Sequence, residues 1–103
     1  MTTERAITEA IIRWLRQQGA HVIKTHGGPH RRGLPDLIGA YRGRALALEV
    51  KRPGGRPTPL QQYELERWAT AGAVAGVVTS IEDVKTLVRE VNASGTADET
   101  GRP

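Results

Sequence analysis

The chain is predicted to fold as an α/β domain, with a mixed sheet flanked by helices and elements in the order αβββαβα. Segments with apolar residues every three or four positions alternate with short apolar runs, and Gly, Pro and capping residues separate them. A length of 103 residues is typical of one domain, and the absence of Cys and Phe leaves Ile, Leu, Val and Ala to build its core. The folded domain is expected to span residues 1–91, and residues 92–103 are predicted to be a disordered tail because they have almost no apolar content.

The first predicted element is a helix over residues 4–18, with Thr3 as its N-cap and Gly19 as its stop. Spacings of three and four residues give this helix one buried stripe. The residues of the stripe are Ile7, Ala10, Ile11, Trp14 and Leu15. Glu4 continues the stripe, whereas Glu9 lies on the opposite side of the helix and is expected to face water.

Three strands are predicted next, at residues 21–25, 36–41 and 44–51, with a Gly- and Pro-rich loop at 26–35. Arg42-Gly43 is expected to form the hairpin turn between the second and third strands. In a hairpin, the first residues of one strand lie beside the last residues of the other. The start of the second strand should therefore lie beside the end of the third.

The second half of the chain is predicted to add a helix, a buried strand and a further helix. Thr58, Pro59 and Gln61 form a capping-box pattern at the start of the second helix. The candidates for its core-facing side are Leu60, Leu65, Trp68 and Ala69. The strand is expected at residues 75–79, and Ser80 is the predicted cap of the last helix.

Asp36, Glu49 and Lys51 are the candidate catalytic residues. Alternation along the third strand puts Glu49 and Lys51 on one face, and the hairpin brings Asp36 beside them. Taken singly, an Asp after Pro is typical of a turn, and Glu-x-Lys is typical of a solvated strand end. Their joint occurrence in a basic chain favours a site, because two carboxylates that share Mg²⁺ or Mn²⁺, with a Lys beside them, suit phosphodiester hydrolysis.

Positive charge is concentrated around the two acids. The formal net charge is +4 and the pI is about 10.1, and residues 24–56 hold eight Lys or Arg but only two acids. Such a distribution is typical of a surface that binds a phosphate backbone, although many small basic proteins bind no nucleic acid. The candidate DNA-binding residues are Lys24, His26, Arg31, Arg32, Arg42, Arg44, Arg52 and Arg56.

Other functional classes find little support in the composition. His21, His26 and His30 lack the spacing of a structural zinc site, and the absence of Cys excludes a Cys-based one. No apolar run approaches membrane-spanning length, and no charged segment followed by an apolar one has the form of a leader. A cytoplasmic protein is therefore expected, without a membrane partner.

The two acidic blocks resemble the signature of the PD-(D/E)XK nucleases, in which Gly-x-Pro-Asp is followed by Glu-x-Lys. Over roughly residues 3–85 the chain is similar to the VRR-NUC (virus-type replication-repair nuclease) branch of that superfamily. The segments that carry this similarity are Thr25-His-Gly-Gly-Pro29, Arg32-Gly-Leu-Pro-Asp36, Tyr41-Arg-Gly-Arg44, Glu49-Val-Lys-Arg-Pro-Gly-Gly55 and Thr58-Pro-Leu-Gln61.

The resemblance implies a restriction-endonuclease-like αβββαβ core, to which the last helix is an addition. It also implies a metal-dependent endonuclease in which Asp36, Glu49 and the Val50 carbonyl hold Mg²⁺ or Mn²⁺. A Glu of the first helix joins the metal site in this family, and helical phase assigns that role to Glu4. Without such a role, Glu4 is explained as a first-turn acid that interacts with the helix dipole.

Two further side chains have roles implied by the resemblance. Lys51 would position the attacking water or help to deprotonate it, and Gln61 would orient water or phosphate. Capping alone also explains Gln61, and the two interpretations are compatible.

The resemblance implies branched DNA as the substrate, most simply a four-way junction cut by a homodimer in a bacterial or phage-infected host cell. Flap or restriction-like cleavage is an alternative, and a non-catalytic DNA-binding module on the same fold is another. The intact set of Asp36, Glu49 and Lys51 argues against the last of these.

Overall fold

The predicted order of elements, αβββαβα, is confirmed by a computed structural model that describes residues 2–25 and 32–101, and the side chains of residues 2–25 and 32–92. None of the described helices is long and apolar enough to span a membrane. The elements are α1 (Glu4–Gln17), β1 (His21–Lys24), β2 (Leu37–Tyr41), β3 (Arg44–Val50), α2 (Pro59–Thr70), β4 (Val74–Val78) and α3 (Ile81–Gly101).

The sheet is mixed, as predicted, with the four strands in the order β1-β2-β3-β4. β2 pairs antiparallel with both β1 and β3, and β4 is parallel to β3. The turn between β2 and β3 consists of Arg42 and Gly43, whose φ angles of 50° and 81° are both positive. Positive φ at both central residues is the geometry of the two-residue hairpin turn that matches the twist of the strands, so the predicted hairpin is confirmed.

One face of the sheet carries the main core, which α1 and α3 cover. Because side chains alternate between faces along a strand, Val22, Leu46 and Leu48 point to this face. A Cβ added at Gly76 of β4 would lie 3.1 Å from Leu87 Cδ1, which places α3 directly against the same face. The buried residues of this core are Ile7, Ile11, Leu15, Ala20, Val22, Leu37, Tyr41, Leu46, Leu48, Val50, Val78, Val84, Val88 and Val91.

The opposite face of the sheet carries Glu49 and is covered by α2. This helix connects the parallel strands β3 and β4 and contacts both of them. Leu65 of α2 and Ala47 of β3 are buried but lie outside the main core. The predicted burial of Leu60 and Ala69 is wrong, because both residues are exposed on α2.

The end of α3 differs from the sequence-based expectation. A disordered tail is predicted for residues 92–103, yet the backbone is helical as far as Gly101. No Pro interrupts residues 92–101, and extending an existing helix adds one hydrogen bond per residue without a new nucleation cost. Val91 is the last buried residue among the described side chains, and the division into a packed domain at 1–91 and a tail stays a prediction.

Candidate active site

Asp36 lies where the ladder between β2 and β3 ends. Leu37 faces Leu48 in this register, so a further hydrogen-bonded pair would join residue 35 to Val50. Pro35 has no N–H and cannot form its half of that pair. The acceptor of the Val50 N–H in such a pair would be the Pro35 carbonyl, but the Val50 N–H donates a hydrogen bond of 2.8 Å to Asp36 Oδ2 instead.

The same geometry directs the Val50 carbonyl towards the site. The N–H and C=O of one strand residue point to the same edge of the strand, and the Val50 N–H points to Asp36. Since Pro35 offers no donor, that carbonyl has no partner from the ladder at this position. The Asp36 carboxylate and the Val50 carbonyl therefore lie on one side of β3, as the metal-binding prediction requires.

Glu49 is a buried acid, with only 2% of its surface exposed. Its Oε2 lies 3.6 Å from Lys51 Nζ, while its buried Oε1 has no hydrogen-bond partner among the described residues. Burial, together with the nearby negative charge of Asp36, raises the pKa of Glu49 from 4.5 to about 7, while Lys51 opposes the shift. Burying a carboxylate oxygen without a partner costs free energy, so this atom is placed to receive a cation or a donor that the described residues do not supply.

The oxygen atoms at this point suit a hard divalent cation. Asp36, Glu49 and the Val50 carbonyl offer only oxygen donors, which Mg²⁺ and Mn²⁺ prefer. Within residues 2–25 and 32–92, no three His, Asp or Glu side chains come together as a ready-made metal cluster. An ion held here would therefore have two carboxylate ligands and one carbonyl, and Mg²⁺ commonly takes its other ligands from water and phosphate.

Glu4 lies outside such a cluster. It is exposed at the first turn of α1 and lines a surface depression with Thr2 and the turn of residues 52–55. That turn folds beside Lys51, since a Cβ added at Gly55 would lie 3.3 Å from Lys51 Cβ. Glu4 therefore borders the site from the Lys51 side, and its role as a metal ligand stays a prediction.

The predicted buried stripe of α1 is confirmed at three of its residues, but exposure does not distinguish Glu4 from Glu9, so the choice between these acids stays a prediction. Ile7, Ile11 and Leu15 are buried along α1, and both acids are exposed. Glu9 lines a different depression, together with Ile12, Arg13, Arg16, Gln17 and Lys24.

Replacing Glu4 by Gln should lower the cleavage rate by about tenfold, equivalent to roughly 1.4 kcal/mol of barrier. The reason is that Glu4, unlike Glu9, borders the depression beside Lys51. Single-turnover cleavage at saturating Mg²⁺ measures the effect, with a thermal melt to detect unfolding. Glu9→Gln is the matched control and should leave the rate unchanged, whereas loss of activity in Glu9→Gln alone would show that the site is entered from another face of α1.

The start of α2 lies against the segment that leads to Asp36. Gly33 has a φ of 80°, and a Cβ at this position would lie 2.7 Å from Leu60 Cγ and 3.1 Å from the Leu60 carbonyl oxygen. The predicted capping box is confirmed, because Gln61 Oε1 accepts a bond of 2.9 Å from the Thr58 N–H and the Gln61 N–H donates to Thr58 Oγ1 at 3.1 Å. The cap occupies Oε1, so Nε2 is the group of Gln61 that remains for water or phosphate.

Some of the candidate DNA-binding residues lie at the site, and others do not. Arg32, Arg52 and Arg56 are exposed in the loops around the site. Lys24 ends β1, but its pairing with Leu37 places its side chain on the face of the sheet opposite Glu49, where it lines the same depression as Glu9. His26 and Arg31 lie outside the described residues.

Arg42 and Arg44 are at the opposite end of the sheet. Arg42 is part of the hairpin turn, and Arg44 follows it at the start of β3, six residues or about 20 Å from Val50. Arg44 Nε donates a hydrogen bond of 2.9 Å to the Gly72 carbonyl, which ties the hairpin to the end of α2. The expectation that these two residues belong to a basic surface around the site is therefore corrected, because neighbours in the sequence separate along an extended strand.

Similar proteins were found by sequence and by structure. A relative named "Putative nuclease p44", from Acyrthosiphon pisum secondary endosymbiont phage 1, is 32% identical over 90 residues, which are 86% of this chain and 95% of the relative. A solved structure described as a "VRR_NUC domain" superposes with a TM-score of 0.71 at 31% identity, over 86% of this chain and 97% of that one. A second, described as a "VRR_NUC domain protein", has a TM-score of 0.70 at 22% identity, over 85% and 86% of the two chains, and shares the fold. No family model matches the chain.

Proposed function

The chain belongs to the VRR-NUC family of nucleases. On that premise we propose that it hydrolyses DNA phosphodiesters, with Asp36 and Glu49 holding Mg²⁺ or Mn²⁺ and Lys51 acting beside the ion. The observation that carries this proposal is the buried Glu49 Oε1, which lacks a hydrogen-bond partner among the described residues. An acid that served only the fold would be expected to have its oxygens satisfied by the chain. An oxygen without a donor among the described residues, beside a second carboxylate and a Lys, supports a cation-dependent site.

Each residue of the site has a separate task in this proposal. Asp36 is held on the Val50 N–H, and Glu49 is fixed by burial in β3, so neither carboxylate has to be ordered when substrate binds. When bound, the ion supplies positive charge beside the scissile phosphate and lowers the pKa of water. The Lys51 ammonium donates hydrogen bonds to a phosphate oxygen or to the attacking water, where negative charge grows in the transition state.

The products proposed for this reaction are a 5′-phosphate and a 3′-hydroxyl, and the proposed substrate is branched DNA. A four-way junction presents two equivalent strands, so a two-fold homodimer is the simplest enzyme that cuts both. The structure supports this, because the described residues form a single sheet with one such pair of carboxylates, at Asp36 and Glu49. Cleavage of flaps or of linear duplex is the alternative specificity.

A cleavage panel tests the proposal and its specificity together. Four-way junctions, flaps and linear duplex are incubated with the protein in Mg²⁺ and, separately, in chelator. Paired nicks across the junction in Mg²⁺ alone are expected. Cutting of flaps or duplex in preference to junctions would replace the proposed specificity, and the absence of nicking on every substrate would favour a DNA-binding module.

DNA affinity should fall steeply with salt. Four basic residues among those that the structure describes lie around the site, and each phosphate contact contributes about −0.9 to the slope of log affinity against log salt, so a slope of about −4 or steeper is expected. These residues are Arg32, Lys51, Arg52 and Arg56. Fluorescence anisotropy across a salt series measures the slope.

A matched pair of variants distinguishes the contribution to DNA binding of a basic residue near the site from that of one far from it. Arg52→Gln should reduce the slope by about 0.9, because this residue lies next to Lys51, whereas Arg42→Gln at the hairpin should leave it unchanged. A flat salt dependence of the unmodified protein, or equal effects of the two substitutions, would contradict a basic surface centred on the site.

A further inference from the structure

The end of β1 is attached to the segment that carries Asp36. Thr25 follows β1, and its N–H donates a hydrogen bond of 2.9 Å to the Asp36 carbonyl. The Thr25 hydroxyl lies 2.7 Å from the Pro35 carbonyl oxygen and 3.3 Å from that of Asp36, so Pro35 is its closer acceptor. One residue therefore holds two successive carbonyls from the β1 side.

The Thr25 N–H bond continues the register of β1 with β2, in which Lys24 faces Leu37, whereas the hydroxyl bond replaces one that the sheet does not supply. The β2 ladder with β3 is paired only as far as Leu37, and Pro35 has no N–H with which to continue it. Pro35 is fully buried, so its carbonyl needs a partner, and the Thr25 hydroxyl is that partner. On the β3 side, the segment is held through the Asp36 carboxylate on the Val50 N–H.

We propose that Thr25 is a positioning residue for Asp36, which it serves by fixing the Pro35–Asp36 backbone so that the carboxylate stays on the Val50 N–H. The proposal rests on the proposed nuclease function, in which Asp36 holds the ion. Groups that orient a metal-binding side chain commonly change affinity or activity by about 10- to 100-fold when they are removed. Thr25 touches neither the ion nor the substrate in this proposal and acts only through Asp36.

The test compares Thr25→Val, which removes the hydroxyl at nearly constant shape, with Thr25→Ser, which keeps it. Thr86→Val is the matched control, because it removes another hydroxyl bonded to a backbone carbonyl, that of Glu82 in α3, away from the site. The first measurement is amide hydrogen exchange of Val50 by NMR in metal-free protein, relative to Leu46 in the same strand. This ratio is insensitive to a uniform loss of stability.

In Thr25→Val, the Val50 amide should exchange about tenfold faster relative to Leu46, the effect of losing one hydrogen bond. The dissociation constant for Mn²⁺, measured by its electron paramagnetic resonance signal, should rise by about tenfold. The cleavage kcat should fall by a similar factor while the KM for DNA changes little. Thr25→Ser and Thr86→Val should resemble the unmodified protein in all three measurements.

Two results would overturn the positioning role. One is an unchanged exchange ratio at Val50 in Thr25→Val, and the other is a Thr25→Ser variant as impaired as Thr25→Val. Failure of the nuclease proposal would give a different result. The unmodified protein would then neither cut DNA nor bind Mn²⁺, whatever the exchange rate of the Val50 amide.

Discussion

Asp36→Asn and Glu49→Gln should each reduce DNA cleavage by about a hundredfold or more, equivalent to roughly 3 kcal/mol of barrier. Both substitutions keep the size of the side chain and remove the charge that an ion requires. Asp36→Asn would also offer a weaker acceptor to the Val50 N–H, because a hydrogen bond to a carboxylate is stronger than one to a neutral amide. Single-turnover cleavage of a four-way junction in Mg²⁺ measures the loss.

DNA binding and folding should survive these substitutions, since the basic loops rather than the carboxylates contact the backbone. Anisotropy in the presence of Ca²⁺ or chelator and a thermal melt provide the two controls, and Glu9→Gln on the exposed side of α1 provides a matched neutral change. Cleavage by either variant at more than a few per cent of the unmodified rate would show that the ion is held elsewhere.

Glu49→Gln should also stabilise the metal-free protein at alkaline pH. Burial raises the pKa of Glu49 to about 7 from 4.5, so the folded state retains a proton that the unfolded state has already lost. Stability therefore falls as pH rises between these two values, and the cost reaches an upper limit of about 3 kcal/mol above pH 7. The neutral amide introduced by the substitution avoids this cost.

Urea denaturation in chelator at pH 5 and pH 8 measures the effect. The difference in unfolding free energy between Glu49→Gln and the unmodified protein should grow in favour of the variant as pH rises. Because the titrating groups away from the site are common to both proteins, the difference reports Glu49 together with its interactions with Asp36 and Lys51. The contrary result is a difference in unfolding free energy that shifts in favour of the unmodified protein between pH 5 and pH 8. It would mean that the metal-free fold stabilises the ionised form of Glu49.

Most of the fold can be predicted because its signals are local. The periodicity of α1, the Thr58–Gln61 capping box and the Arg42-Gly43 turn each depend on residues within four positions of one another. The end of α3 could not be located in this way, because low apolar content indicates weak packing rather than the absence of a helix. The surroundings of Leu60 could not be predicted either, because its neighbour is Gly33, which is distant in sequence.

Some features of the site can also be predicted from local sequence, and others depend on residues that are distant in the chain. The hairpin predicts that Asp36 and Glu49 approach each other, since the turn sets the register of the strands that carry them. The bond from Val50 to Asp36 and the contacts of Thr25 with Pro35 join residues ten or more positions apart, and no local pattern indicates them. The lack of a partner for Glu49 Oε1 within residues 2–25 and 32–92 is likewise visible only in the packed structure.

Calorimetric titration of Mn²⁺ into the DNA-free protein tests most directly whether Asp36 and Glu49 form a metal site. The unmodified protein should bind the ion, and Asp36→Asn and Glu49→Gln should each weaken binding by about tenfold or more, because each removes one of two carboxylate ligands. Glu9→Gln should bind as the unmodified protein does. Equal Mn²⁺ affinity in all four proteins would contradict a metal site at these two carboxylates.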